Sequence, residues 1–369
     1  MKKVLILTTS YGQGHIATAQ AIEEGLKATS KSPPSVEIVD FTETISSLLN
    51  KTSKRMYEDT SKYAPLLYKL FFDSTDFPLP FKALNSFNYY LSREKIDKLF
   101  VQKDPDLIIC NSPHWQYIAS LAREKKFNNV PLISVLTDSI TIHASWTIGD
   151  SDYYIVPNHE TALSLRHLGV EPSKIKELGY PISLVFDNKS FVAQKFIAKL
   201  GLDPSKRTIL VAASGMRTTT ASKTIRQLQR SIPDTQMIVV TGRDDVLYSK
   251  LKTNFGPTIH LVDWTDEMPE FILASDLVVT KAGGSTVMEC IGAQKPVIIC
   301  KIIPGQEEGN AEYITKHHLG VVALEPDMIA HAAHKILTHQ GWYGRNLRQV
   351  ARPDAALTIA KFLIELMSK

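Results

Sequence analysis

The amino-acid sequence predicts an α/β protein of two doubly wound, Rossmann-like domains. Three observations lead there. Short apolar, β-rich runs alternate with amphipathic stretches along the chain, the pattern of βαβ units and parallel sheets. The 369 residues are enough for two domains of ordinary size. The alternation is interrupted once, between Gly179-Tyr180-Pro181 and Leu202-Asp203-Pro204. That break marks a linker at residues 182–205, with a first domain at 1–181 and a second at 206–352.

The elements follow in order. Strands are expected at 4–7, 36–39, 107–110, 132–136 and 153–156 in the first half, and at 208–212, 237–240, 259–262, 277–279 and 297–300 in the second. Helical patterns fall between most of them. Paired doubly wound sheets facing across a cleft hold ligands at the carboxyl ends of their strands. One stretch departs from the pattern. Residues 42–106 separate the second and third strands, where a single crossover helix would suffice.

Composition narrows the class. The chain is 44% hydrophobic and 22% charged, ordinary globular values that exclude a disordered protein. No apolar run approaches the roughly 18 residues of a membrane-spanning helix, and the apolar start is too short for a signal peptide. Cys110, Cys290 and Cys300 each lie in or beside an apolar segment and read as reduced core residues, so a cytoplasmic protein is expected. A net charge of +4 makes no case for nucleic acid as a partner. Its location says more. Residues 51–103 carry ten basic and six acidic side chains, an excess equal to that of the whole chain, and nine of the 31 aromatics fall within 63–90. Aromatic and basic side chains together suit an anionic membrane surface. The alternative is a helical subdomain whose aromatics form its own core. Phe71, Phe72, Phe77 and Phe81 are the candidates for acceptor or membrane contact.

Candidate chemistry lies at strand ends. The first strand runs into Tyr11-Gly12-Gln13-Gly14-His15 and a helix, where glycines permit close backbone approach and a helix amino end attracts anions. His15 on the first helical turn is a candidate general base, or else a structural histidine. Gly12-x-Gly14, with Asp40 ending the second strand, also passes as a dinucleotide fingerprint, which keeps an NAD-dependent oxidoreductase as an alternative. The 132–136 strand leads into Thr137-Asp138 and then His143 and Trp146. Asp138 is a candidate to orient or share the base role, and Trp146 to line an acceptor groove, with capping and packing as their plain alternatives. In the second half, Thr280-Lys281-Ala282-Gly283-Gly284-Ser285-Thr286 joins a strand to a helix and forms a diphosphate cradle. Glu289 follows one helical turn after Ser285, where a carboxylate can accept both hydroxyls of a ribose. Gln306, Glu307 and Asn310 after the next strand suit sugar hydroxyls, each of which donates and accepts. Two Asp-x-Asp tripeptides, at Asp104 and Asp150, match a metal-holding motif but precede strands, away from the expected ligand end, and read as structural. His317-His318 and His331-x-x-His334 lack cysteine partners for zinc and read as solvated helix faces.

These motifs together resemble the monogalactosyldiacylglycerol synthase and processive diacylglycerol glucosyltransferase group, related to the UDP-N-acetylglucosamine transferase of peptidoglycan assembly. The resemblance spans nearly the whole chain. It rests on Tyr11-Gly-Gln-Gly-His15, Thr137-Asp138 with His143 and Trp146, Gly179-Tyr-Pro181, Thr280 to Gly284 through Glu289, and Pro304-Gly-Gln-Glu307 with Asn310. It implies a GT-B fold whose final helix, within 353–369, crosses back onto the first domain, and an inverting, metal-independent transfer of a hexose from a UDP-sugar to a membrane lipid, with no cofactor. His15 and Asp138 would then be catalytic. Gly14, Ser214, Gly215, Arg217, Trp264, Gly283, Gly284, Ser285, Thr286, Glu289, Gln306, Glu307 and Asn310 would hold the donor. His143, Trp146 and the phenylalanines would face the lipid at the inner side of the membrane. The alternative within this class is a non-catalytic sensor of UDP-sugars. Three departures stand out. Ser139 follows Thr-Asp where the family usually has an aromatic, His143 sits one residue further on, and Ala212 to Met216 replace a more glycine-rich loop, so that Arg217 would compensate as a phosphate contact.

Overall fold

The alternating pattern resolves into two parallel sheets in a computed structural model of the chain, which describes residues 1–10, 13–40, 69–70, 72–74, 76, 78–126 and 129–368. The chain divides into two units. The first comprises Met1–Leu184, Ile303–Gly309 and Asp354–Lys369, and the second Val185–Ile302 and Asn310–Pro353.

In the first unit the strands are β1 (Lys3–Thr8), β2 (Ser35–Asp40), β3 (Leu107–Cys110), β4 (Leu132–Val135), β5 (Tyr153–Val156) and β6 (Ile175–Glu177). They form one sheet in the order β2-β1-β3-β4-β5-β6. Every pairing is parallel. The helices are α1 (Gln13–Thr29), α2 (Pro78–Lys103), α3 (Pro113–Lys126) and α4 (His159–His167). Both faces of the central strands are buried, so these strands read as near-continuous Val/Ile/Leu runs rather than alternating ones. One face packs Ile22 and Leu26 of α1 together with Ile359 and Leu363 near the carboxyl end of the chain. The other packs Ile96 and Phe100 of α2 and Trp115 and Ile118 of α3.

In the second unit β7 (Arg207–Ala212), β8 (Thr235–Val240), β9 (His260–Val262), β10 (Leu277–Lys281), β11 (Val297–Lys301) and β12 (Gly320–Val322) form a sheet ordered β12-β11-β10-β7-β8-β9, again parallel throughout. Its helices are α5 (Ala193–Lys199), α6 (Thr218–Ser231), α7 (Asp245–Phe255), α8 (Met268–Ala274), α9 (Gly284–Gly292), α10 (Glu308–Lys316, whose first two residues group with the first unit), α11 (Pro326–Thr338) and α12 (Gln340–Val350). The stretch at 182–205 is not extended throughout, because α5 buries Phe196 and Ile197, with Phe196 edge-on to Phe271 of α8.

The final helix, α13 (Ala355–Met367), packs on α1. Gly25 makes this possible, since a Cβ there would lie 2.3 Å from the Ala356 carbonyl oxygen. Among the described residues no helix is long and apolar enough to cross a membrane.

Each strand order reverses once, between β1 and β3 in one sheet and between β7 and β10 in the other. Adjacent crossovers leave such a point on opposite sides, which opens a crevice at the strand carboxyl ends. The sequence-nominated residues can be located against these two places.

Candidate active site

At the first reversal, β1 feeds the turn that carries Gly14 and His15, and β3 ends in Cys110-Asn111. Asn111 is fully buried, and its Nδ2 donates to the His15 carbonyl at 2.6 Å, tying the two strand ends together. Its Oδ1 is buried without a partner. Thr18 Oγ1 lies 2.8 Å from the Gly14 carbonyl and 3.1 Å from the Tyr180 hydroxyl, which ties the Gly-Tyr-Pro segment to this turn. The His15 imidazole is half-buried, with Nδ1 3.5 Å from Thr137 Oγ1 at the end of β4. Burial lowers its pKa below the usual 6.5, opposed by a hydrogen bond between the imidazole and the Asn111 backbone. A neutral imidazole at pH 7 is a competent proton acceptor.

Asp138 follows Thr137. Burial pushes its carboxyl up to about 6, although a bond from Trp146 Nε1 to Oδ2, 2.8 Å long, pulls the other way. Trp146 therefore has a different place from the one expected. It is 0% exposed and cannot line a groove; its indole holds Asp138 from inside the protein. The backbone just beyond is strained, because Ile140 has φ of 58°, a conformation that β-branched residues rarely adopt. Such a residue costs roughly 1–3 kcal/mol unless its surroundings fix it. Here α4 does so: Ile140 N donates to Thr161 Oγ1 at 3.2 Å, and Ser164 Oγ donates to the Ile140 carbonyl at 2.5 Å.

His143 caps a short 3-10 turn through Nδ1, which accepts from Ser145 N at 3.2 Å. Its ring meets Phe72 edge-on at 4.8 Å and lies 6.1 Å from Phe81. Burial lowers its pKa, opposed by Asp76, whose Oδ1 is 3.7 Å from Nε2. Phe72 is half-buried and packs on Gly305, where a Cβ would lie 2.8 Å from its ring. Phe81 is 2% exposed. Phe81 is therefore an interior ring, which corrects the expectation of acceptor or membrane contact for it; Phe71 and Phe77 lie outside the described residues. The exposed apolar side chains are others. Phe87, Tyr90, Leu91 and Val101 stand on the outward face of α2, with Tyr90 75% exposed. Lys82, Arg93, Lys95 and Lys98 are exposed on the same helix.

At the second reversal, β7 ends in Ala213-Ser214-Gly215, and Gly215 has a positive φ of 78°. Lys301 Nζ donates to the Gly215 carbonyl at 3.1 Å. β10 ends in Ala282-Gly283, with Gly283 capping α9. Gly283, Gly284, Ser285 and Thr286 thus form the amino end of a buried-face helix, whose unpaired N–H groups favour a diphosphate. Ser285 Oγ donates to Glu289 Oε1 at 3.0 Å, and burial raises the Glu289 pKa. Asn310 Nδ2 donates to the Ala282 carbonyl at 2.9 Å, while its buried Oδ1 lacks a partner. Arg217 is exposed at the cap of α6. Trp264 is exposed on one side, and the Arg243 guanidinium lies 5.2 Å from its ring centroid.

The 303–309 loop groups with the first unit. Glu307 is buried there and accepts from Ile303 N at 3.0 Å, so it shapes the loop rather than displaying its carboxylate. Gln306 is half-buried beside it. The Asp-x-Asp carboxylates are engaged: Asp106 with Lys3 N and Lys2, Asp152 with Arg123, and Asp150 with Lys174. Asn111, Ile140, Thr161 and Arg243 were not nominated from sequence. Asn111 directly after an apolar strand was the readable signal among them.

Comparison with known proteins agrees with this arrangement. Residues 15–182 match the model of monogalactosyldiacylglycerol (MGDG) synthase, and residues 216–340 that of the glycosyltransferase family 28 C-terminal domain. Glycosyltransferase matches on both halves of the chain set aside the oxidoreductase alternative. The chain is 30% identical over 329 residues to the processive diacylglycerol beta-glucosyltransferases of Staphylococcus epidermidis and Staphylococcus aureus, covering 88% of this chain and 82% of each relative. Among solved structures, a putative UDP-N-acetylglucosamine 2-epimerase from Listeria monocytogenes superposes with a TM-score of 0.63 at 15% identity, covering 99% of this chain and 95% of that one. MurG of Acinetobacter baumannii does so with a TM-score of 0.58 at 12% identity, covering 99% and 100%. These distant likenesses establish the fold as GT-B, and the closer ones establish that the chain belongs to the monogalactosyldiacylglycerol synthase and processive diacylglycerol glucosyltransferase family of glycosyltransferases.

Proposed function

We propose that this protein transfers a hexose, with inversion and without a metal, from a UDP-sugar to the hydroxyl of diacylglycerol in an anionic membrane. One observation carries the reading. Each doubly wound sheet has a distinct chemical set at its strand carboxyl ends: the His15 imidazole near Thr137-Asp138 in the first, and in the second a glycine-paired helix amino end with the Glu289 carboxyl one turn on. The names of the staphylococcal relatives support the diacylglycerol acceptor.

In this mechanism the lipid hydroxyl attacks the anomeric carbon in line with the departing UDP. His15, kept neutral by burial, takes the proton, and Asp138 orients or shares that role. The amino end of α9 and Arg217 stabilise the diphosphate as charge develops. Glu289 accepts the ribose hydroxyls, Trp264 borders the base, and Gln306 and Asn310 contact the sugar. The engaged Asp-x-Asp pairs support a reaction that recruits no metal to those carboxylates. The protein docks peripherally on the inner face of the membrane through the outward face of α2, where apolar and basic side chains alternate.

The test is incubation of the full chain with radiolabelled UDP-glucose or UDP-galactose, vesicles containing diacylglycerol and, in parallel, EDTA. A labelled glycolipid formed equally with EDTA is the expected result. Tight UDP-sugar binding with no transfer to any lipid would favour the non-catalytic sensor instead.

A further inference from the structure

The outer helices of the second unit carry a charged groove that none of these roles uses. α6 turns Lys223, Arg226 and Arg230 outward, spaced so that they stack along one helix face. Among the described residues none of the three takes part in an ion pair or a side-chain hydrogen bond. Arg226 rests over the Phe255 ring at 5.6 Å. The three cations form one wall of a groove of about 450 Å³. Glu325 and Asp327, at the start of α11, form the other, and Gln227 donates to Asp327 across it.

Both walls call for a ligand. Three like charges along one helix face repel, and among the described residues none of them is held in an ion pair. A phosphate accepts from Lys and Arg in charge-assisted bonds. The facing carboxylates would repel a second anionic group but accept hydrogen bonds from hydroxyls. The volume falls in the range of small-molecule sites. A ligand with phosphate at one end and hydroxyls at the other satisfies both walls at once.

We propose that this groove binds a hydroxyl-bearing phosphate ester of the glycerol phosphate class, its phosphate on Lys223, Arg226 and Arg230 and its hydroxyls on Glu325 and Asp327. Two sources present this chemistry: a free ester, and the glycerol-phosphate headgroup of an anionic phospholipid. The site shares no residue with the donor cradle and does not depend on the transferase reading.

Calorimetry of the full chain with sn-glycerol 3-phosphate and with inorganic phosphate, and cosedimentation with phosphatidylglycerol or phosphatidic acid vesicles, test it. Each is run with and without saturating UDP; the arms without UDP stay readable if the donor reading fails. Two variants are compared with wild type: Lys223→Gln/Arg226→Gln/Arg230→Gln, and Glu325→Gln/Asp327→Asn. Thermal melting confirms that both are folded. The expected result is a loss of about tenfold or more in the triple variant, from removal of charge-assisted bonds. The second variant loses several-fold for the hydroxyl-bearing probes, while affinity for inorganic phosphate or phosphatidic acid holds or rises as the two negative charges are removed. Loss for sn-glycerol 3-phosphate assigns the free ester, and loss for phosphatidylglycerol vesicles alone assigns the headgroup. If the triple variant behaves as wild type with every probe, the groove is not an anion site. If the acidic variant gains affinity for all probes equally, the hydroxyl assignment is wrong.

Discussion

Asp138→Asn should make this protein more stable while removing its activity. Burial raises the carboxyl from 3.8 to about 6. At 1.36 kcal/mol per unit this is about 3 kcal/mol, taken as an upper figure. The sign follows from linkage. The folded state binds the proton more tightly than the unfolded state, so stability is fully present below pH 3.8 and falls as the pH rises through 6. Above pH 6 the folded protein carries the whole cost of an ionised, half-buried carboxylate. Asparagine removes that cost and keeps an oxygen to accept from Trp146 Nε1, the bond now 2.8 Å long. Urea unfolding followed by circular dichroism at pH 7.5 should show the variant more stable by up to about 3 kcal/mol, with the difference gone by pH 4. Glycolipid formation should fall by about 10²-fold or more. A variant less stable than wild type at pH 7.5, or a difference that does not change with pH, would refute the reasoning.

Three further outcomes are expected. Glu289→Gln should weaken UDP binding about tenfold in calorimetry, the worth of a hydrogen bond to a charged group, with little effect on a 2′-deoxy analogue. Because burial raises the Glu289 pKa, wild-type affinity should also fall as the pH drops through that raised value. His15→Ala should cut transfer by roughly 10²- to 10⁴-fold while leaving UDP affinity unchanged, measured by product formation and calorimetry on the same preparation. Replacing Phe87, Tyr90 and Leu91 of α2 by serine should lower cosedimentation with anionic vesicles about tenfold or more without lowering the melting temperature, since these side chains are exposed. Wild-type binding to those vesicles should weaken with added salt.

Ten of the strands were legible because buried parallel strands are continuous apolar runs bounded by turn residues. β6 and β12 were not. They are three-residue edge strands, and Ile175-Lys176-Glu177 is mostly polar, so neither carries a period long enough to read. The strand-to-helix junction at Gly283-Gly284 was readable because an apolar run, a glycine pair and a helical pattern follow one another there. The site at the first reversal was readable only in part. The sequence leaves Trp146 between lining a groove and packing inside, because an indole looks the same whether it faces a ligand or holds a carboxylate from within; the interior is where it lies. Ile140 gave no sign at all: a β-branched residue argues against positive φ, and only the bonds from Thr161 and Ser164 fix it there. The aromatic density of the insertion does not say which rings reach solvent: among the described residues Phe87 and Tyr90 are exposed, while Phe81 lies in the interior. Helical phase within α2, rather than aromatic density, separates the two groups.

The central claim is inverting transfer to a lipid hydroxyl. The anomeric configuration of the product, read from the proton NMR coupling of glycolipid purified after incubation with α-configured UDP-glucose and diacylglycerol vesicles, tests it most directly. The account predicts a β-linked glucosyl diacylglycerol. An α-linked product, or release of UDP with free glucose and no glycolipid, would contradict it.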